Sequence, residues 1–254
     1  IATLFVVIGV SASYLRRNKT NILARKSFSV AFRILIFLVP LQIIAGDLHG
    51  LNTLKYQPAK VAAMEGHWET HKGAPFVLFA IVNANEERNW FELKIPYAAS
   101  LVLTHKIDGE VKGLKEWSKE DRPMIGLVFW SFRVMLAIGF AMFGLILWGI
   151  VLSIRQKLYD SKRYFEMLSF MIPSGFIAIL AGWFVTEVGR QPWAVYGLLK
   201  ISNSHSPINT HVVAFSLAFF VILYFTLLYF YIRFAKFLFK KGMLPVDGVE
   251  VYQK

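Results

Sequence analysis

Five apolar blocks limit what this chain can fold into. They run roughly over Ile1–Leu15, Phe28–Ala45, Ile125–Ile154, Met167–Thr186 and His211–Phe234, and all but the first approach or exceed the roughly 20 residues an α-helix needs to cross a bilayer. Backbone in hydrocarbon must satisfy its own N–H and C=O groups, which an open chain manages only as helix. A membrane β-barrel would show short alternating segments instead of continuous runs. The pattern predicts an all-α integral membrane protein: a bundle of about five transmembrane helices, the first truncated, with a small external domain.

Composition agrees. Apolar residues make up 56% of the 254 and charged ones 17%, where a soluble domain carries about a quarter charged. The net charge of +12 sits between apolar blocks and not on one soluble face, so it reads as membrane topology and not as a nucleic-acid surface. The chain has no cysteine, which excludes disulfides, thiolate catalysis and iron–sulfur clusters within it. A bound metal must be held by His, Met or carboxylate. The chain opens at Ile1, inside an apolar run with no initiator Met or basic leader, and is read as lacking an upstream part.

Lysine and arginine in short connections mark the cytoplasmic side. Arg16, Arg17, Lys19, Arg25 and Lys26 fill the first link, Arg155, Lys157, Lys162 and Arg163 the third, and Arg233, Lys236, Lys240 and Lys241 the tail. These regions alternate correctly to share one side. The segment from Gly46 to Asp121 mixes nine basic with eleven acidic residues and gives no such signal. The expected organisation is therefore two transmembrane helices over 1–45, an external domain over 46–122, three transmembrane helices over 123–235 and a cytoplasmic tail over 236–254. Within the external domain, Pro58–Glu69 reads as a short helix with proline in its first turn, and Phe76–Val82 and Trp90–Ile95 as short extended pieces.

Ionisable groups inside membrane helices are costly and usually functional. Arg133 lies several residues inside the third block: a snorkelling arginine, or a cation facing a buried anion such as a cofactor carboxylate. Met135 is core filler or an axial haem ligand, and two positions of helix turn it about 200° away from Arg133. Trp183 and Glu187, at i and i+4, share one helix face. They belong to an aromatic belt with an interfacial ion pair, or to a metal or proton site in which Arg190 neutralises the carboxylate or holds a propionate. Lys60 and Glu65 stand about 140° apart on their short helix and by themselves read as solvated charges. The histidines, at 49, 67, 71, 105, 205 and 211, fall in external segments or at a helix end.

Three stretches then resemble one family. GWFVTEVGRQPW (Gly182–Trp193), FRVM (Phe132–Met135), and GDLHG with KVAAMEGHWET (Gly46–Gly50, Lys60–Thr70) resemble, in the same order, segments of subunit I of cytochrome bd-type ubiquinol oxidases. The resemblance is to the C-terminal half, in a form with a short quinol loop. It implies Met135 as a ligand of the low-spin haem b iron, with Arg133 supporting that haem, and Glu187 as the ligand of the high-spin haem b, with Trp183 and Arg190 around it. It implies Lys60 and Glu65 as quinol-oxidising residues in a periplasmic quinol loop. Haem d or a further haem b, quinol as substrate, oxidase subunit II, small single-helix subunits, the N-terminal half of subunit I and the lipid of the bacterial inner membrane follow as expected cofactors and partners. The rival readings are a non-redox transporter subunit using Arg133 and Glu187 as an ion path, and a structural fragment without cofactor.

Overall fold

The computed structural model describes residues 1–204 and 208–241. His205 and the tail expected beyond Lys241 lie outside the described residues. The chain divides into two compact units, Ile1–Ser204 and a second from His205. In the second, α8 (Thr210–Lys241) is a single helix, and its segment to Phe237 is long and apolar enough to cross a membrane.

In the first unit, α1 (Ala2–Arg17) and α2 (Ile22–Tyr56) are joined by a tight basic link. Asn21 starts α2 by accepting a hydrogen bond from the Ala24 amide at 2.9 Å. At 35 residues, α2 is roughly 50 Å long, far more than the roughly 30 Å of hydrocarbon. The stretch expected to open the external domain is instead the projecting end of this helix, and His49 sits on it. Next come α3 (Pro58–Glu65), β1 (His71–Lys72), β2 (Phe76–Asn83), β3 (Arg88–Ile95), α4 (Ala98–Thr104) and β4 (Glu110–Val111). β2 pairs antiparallel with β3, and β1 with β4, so the strands of this helical protein occur in its non-membrane parts.

The chain re-enters the bundle as α5 (Ile125–Ile154). The fourth apolar block, expected as one helix, is two: α6 (Lys162–Phe170) and α7 (Ser174–Gly189). Pro173 lacks an N–H and cannot continue α6, but its carbonyl accepts from Phe176 and Ile177 at 3.1 Å and starts α7. A short hairpin, β5 (Trp193–Val195) with β6 (Leu199–Lys200), follows.

The bundle core lies where α1, α2, α5 and α6 meet, around Phe5, Phe28, Phe32, Leu35, Ile146 and Phe165. Lys19 and Asp160 pair at 2.7 Å, and Arg16 and Glu166 at 3.6 Å, so the first and third links share one end of the unit. The end of α2, α3, the start of α5 and the end of α7 occupy the opposite end, where smaller clusters seat the inserted domain on α5 through Val128 and Phe129.

Candidate functional site

The site is organised by the eight residues of α3. Pro58 starts the helix with a preset φ. Gly66 ends it at φ +69°, a left-handed conformation that costs glycine little, so the helix expected to reach Glu69 stops at Glu65. Ala59, Ala62 and Ala63 are fully buried, and these short side chains let α3 lie close against α5 and α7. The 140° between Lys60 and Glu65 then turns one toward α7 and the other toward α5. Neither is solvated: Lys60 is 6% exposed and Glu65 3%.

Glu65 meets Arg133. The guanidinium donates from Nη2 to Glu65 Oε2 at 3.1 Å and from Nε to the Val77 carbonyl at 2.6 Å. The rings of Phe76 and Phe129 lie 4.4 and 4.6 Å from its carbon, at cation–π distance. Arg133 thus does not snorkel, and its buried anion is a carboxylate of this chain. Its third nitrogen, Nη1, is buried with no hydrogen-bond partner among the described residues. Burial pushes the Glu65 carboxyl above its usual range, while Arg133 pulls it back.

Lys60 meets the end of α7. Its methylene stem crosses Gly189 so closely that a Cβ there would stand 2.9 Å from Lys60 Cγ. Burial holds its ammonium below the usual lysine range; Arg190 lowers it further and Glu187 opposes both. Among the described residues its ammonium has no hydrogen-bond or ion-pair partner. Glu187 and Arg190 pair at 2.8 Å with about half of each side chain exposed. Trp183 is 68% exposed and shares their open face, as its spacing from Glu187 predicts.

Met135 points away from Arg133 into the contact between α5 and α7. A Cβ on Gly182 would lie 3.2 Å from its sulfur. The structure thus joins Arg133 to Glu65, lays the Lys60 stem against the end of α7 that carries the Glu187–Arg190 pair, and packs Met135 of α5 against Gly182 of the same helix.

Sequence reasoning missed several residues. His67 is 5% exposed, shares a hydrogen bond through Nε2 with the Pro75 carbonyl at 2.8 Å and leaves Nδ1 without a partner among the described residues. Burial pushes its imidazole down to about 4, so it is neutral at physiological pH. Asn89 accepts from Trp68 Nε1 at 2.8 Å and donates to the Gly66 carbonyl at 2.8 Å, pinning the end of α3. Lys200 reaches Asp121 at 2.8 Å and ties the hairpin after α7 to the external domain. No local pattern announces any of these contacts.

A haem asks little of the chain that holds it: one or two axial ligands and donors for its propionates. The residues fit that request. The Met135 sulfur lies beside a glycine cradle that a Cβ would crowd, Arg133 keeps an unused buried N–H, and Glu187 and Trp183 look outward from α7 with room beside them. Among the described residues no group of three or more His, Asp or Glu gathers into a metal site of its own.

Comparison with known proteins gives a consistent answer. A family model described as "Cytochrome bd terminal oxidase subunit I" matches residues 1–243. The chain is 36% identical to the cytochrome bd ubiquinol oxidase subunit 1 of Bacillus subtilis (strain 168), over 86% of this chain and 48% of that protein. It is 30% identical to the cytochrome bd-II ubiquinol oxidase subunit 1 of Escherichia coli (strain K12), over 85% and 55%. Its fold is similar to the bd oxidase from Geobacillus thermodenitrificans, with a TM-score of 0.80 and 29% identity over 95% of this chain and 55% of that one. The chain spans about half the length of the relatives it matches.

Proposed function

We propose, from the premise that this chain belongs to the cytochrome bd terminal oxidase subunit I family, that it forms the part of a respiratory quinol:oxygen oxidoreductase where quinol is oxidised and whose side chains would hold two b haems. The family excludes the non-redox transporter reading. One observation carries the proposal: α3 delivers Lys60 and Glu65 to the two helices that bear Met135 and Glu187.

Met135 would hold the low-spin haem b iron, and the buried Nη1 of Arg133 would be the donor available to that haem. Glu187 is assigned to the high-spin haem b iron, with Trp183 and Arg190 beside it. A bound haem supplies a one-electron iron centre able to take electrons from quinol and pass them to the oxygen-reducing haem, d or b. Glu65 Oε2 is engaged by Arg133, leaving Oε1 to accept a quinol proton, and the raised carboxyl makes that transfer easier. The Lys60 ammonium, without a partner, donates a hydrogen bond to the substrate oxygen. The basic links lie at the opposite end of the unit, so the positive-inside rule puts this site on the periplasmic face of the inner membrane. Quinol protons leave outward, and oxygen reduction takes protons from the cytoplasm.

Partners follow from the open side of the site. The outward faces of Glu187 and Trp183 need covering by the remainder of subunit I, by subunit II and small single-helix subunits, or by lipid. The experiment is quinol-driven oxygen consumption by the assembled oxidase carrying Lys60→Ala or Glu65→Gln. Turnover is expected to drop at least tenfold while the reduced-minus-oxidised spectrum stays normal. Unchanged turnover in both variants would reject the assignment of the quinol site.

A further inference from the structure

α7 acts on the site through two absent side chains. Gly182 and Gly189 are seven residues apart, which returns them to nearly the same face of the helix, about 20° apart. Each is crossed by a candidate functional side chain from another element: the Met135 sulfur stands 3.2 Å from a Cβ at 182, and Lys60 Cγ, Cε and Cδ stand 2.9, 3.2 and 3.3 Å from one at 189. Gly175, one more heptad back, differs. There the nearest atoms are the Cα and Cβ of Ala2, so that glycine serves helix approach alone, as small residues do in membrane bundles.

We infer that Gly182 and Gly189 are positioning residues, the first setting the Met135 thioether and the second laying the Lys60 stem across the end of α7. The inference rests on the proposed roles of Met135 and Lys60 and adds what holds each in place. An alanine at 182 would sit tighter against the sulfur than ordinary van der Waals contact, so the thioether must shift by a few tenths of an ångström. An alanine at 189 meets three atoms of one stem, and Lys60 must leave its groove. Neither glycine lies in the left-handed region, so alanine costs no backbone strain and its effect is the displaced neighbour.

The test uses the assembled oxidase, purified through its partner subunit and compared per haem. Gly182→Ala should shift the low-spin haem b band and lower its midpoint potential, because a thioether ligand raises that potential, while quinol KM stays unchanged. Gly189→Ala should raise quinol KM severalfold with normal spectra, and Gly189→Ala/Lys60→Ala should be no worse than Lys60→Ala, since coupled positions are not additive. Additive effects at 189 and 60, or a normal band and potential in Gly182→Ala while Met135→Leu alters them, would overturn the inference. If Met135→Leu itself leaves the band unchanged, the assignment of that ligand fails instead. Should Gly182→Ala not assemble, Gly182→Ala/Met135→Ala is compared with Met135→Ala: equal assembly localises the clash to residue 135, and worse assembly places it elsewhere and refutes that half.

Discussion

Two arginine–carboxylate pairs in this molecule have opposite characters. Arg133 and Glu65 join segments 68 residues apart in the chain, with 7% and 4% of their side chains exposed, ringed by phenylalanines. Glu187 and Arg190 are three residues apart on one helix end, each about half exposed. The buried pair is held from several sides and still leaves one guanidinium nitrogen, Nη1, unused; the open pair is held by itself and one long contact to the Ala194 carbonyl. A charge locked into a core position has its geometry fixed before any ligand arrives. A charge on an open face keeps its oxygen accessible, which an iron ligand requires. The contrast matches the two roles proposed: Glu65 as a fixed proton acceptor, Glu187 as a ligand awaiting a metal from outside this chain.

The contrast is easiest to break at the buried pair. Arg133→Leu strands Glu65 without its partner, and losing one member of a buried pair costs about 3–5 kcal/mol. The assembled oxidase should melt well below wild type, and Arg133→Met/Glu65→Leu should recover most of the loss. If the single variant melts normally, the pair is not buried in the working protein.

His67 reports on the same core at somewhat lower cost. It faces His71, Arg133 and Glu92, and burial depresses it from 6.5 to about 4. The unfolded chain therefore binds the extra proton first as pH falls. Stability is complete above about pH 6.5 and drains away as pH drops toward 4, by at most about 3 kcal/mol. Hydrogen exchange in the β2–β3 hairpin and α3 should quicken over that window, and His67→Gln should flatten the dependence. A flat wild-type profile would mean that the imidazole is not enclosed.

The open pair should give the smallest response. Arg190→Ala removes an exposed contact worth about 0–1 kcal/mol, so the melting temperature should barely move. A drop as large as that of Arg133→Leu would show Arg190 to be covered and gripped in the assembly, and the two pairs would then be alike.

Much of this was legible in the sequence, and the reason is periodicity and composition. Apolar length fixed the bundle, basic links fixed which ends go together, and a five-residue step on a short helix fixed that Lys60 and Glu65 look in different directions. The illegible parts are tertiary. Residues 46–56 carry Asp47, His49 and Lys55 and read as the opening of the external domain, yet they continue a helix that has outrun the hydrocarbon. Pro173 breaks the fourth block within an unbroken apolar pattern. Nothing local distinguishes a solvated Glu65 from one seated on Arg133, because that depends on three alanines letting α3 approach α5. Gly182 and Gly189 were visible as letters of a motif, but what they accommodate appears only when α5 and α3 are laid beside α7.

The central claim is that one sulfur on α5 and one carboxylate on α7 hold two different b haems. It is tested most directly by reduced-minus-oxidised spectra of the assembled oxidase carrying Met135→Leu or Glu187→Ala, each measured per assembled complex. The account predicts selective loss: Met135→Leu perturbs the low-spin haem b and spares the high-spin one, and Glu187→Ala does the reverse. Normal spectra in both variants, or equal loss of both haems in either one, would contradict it.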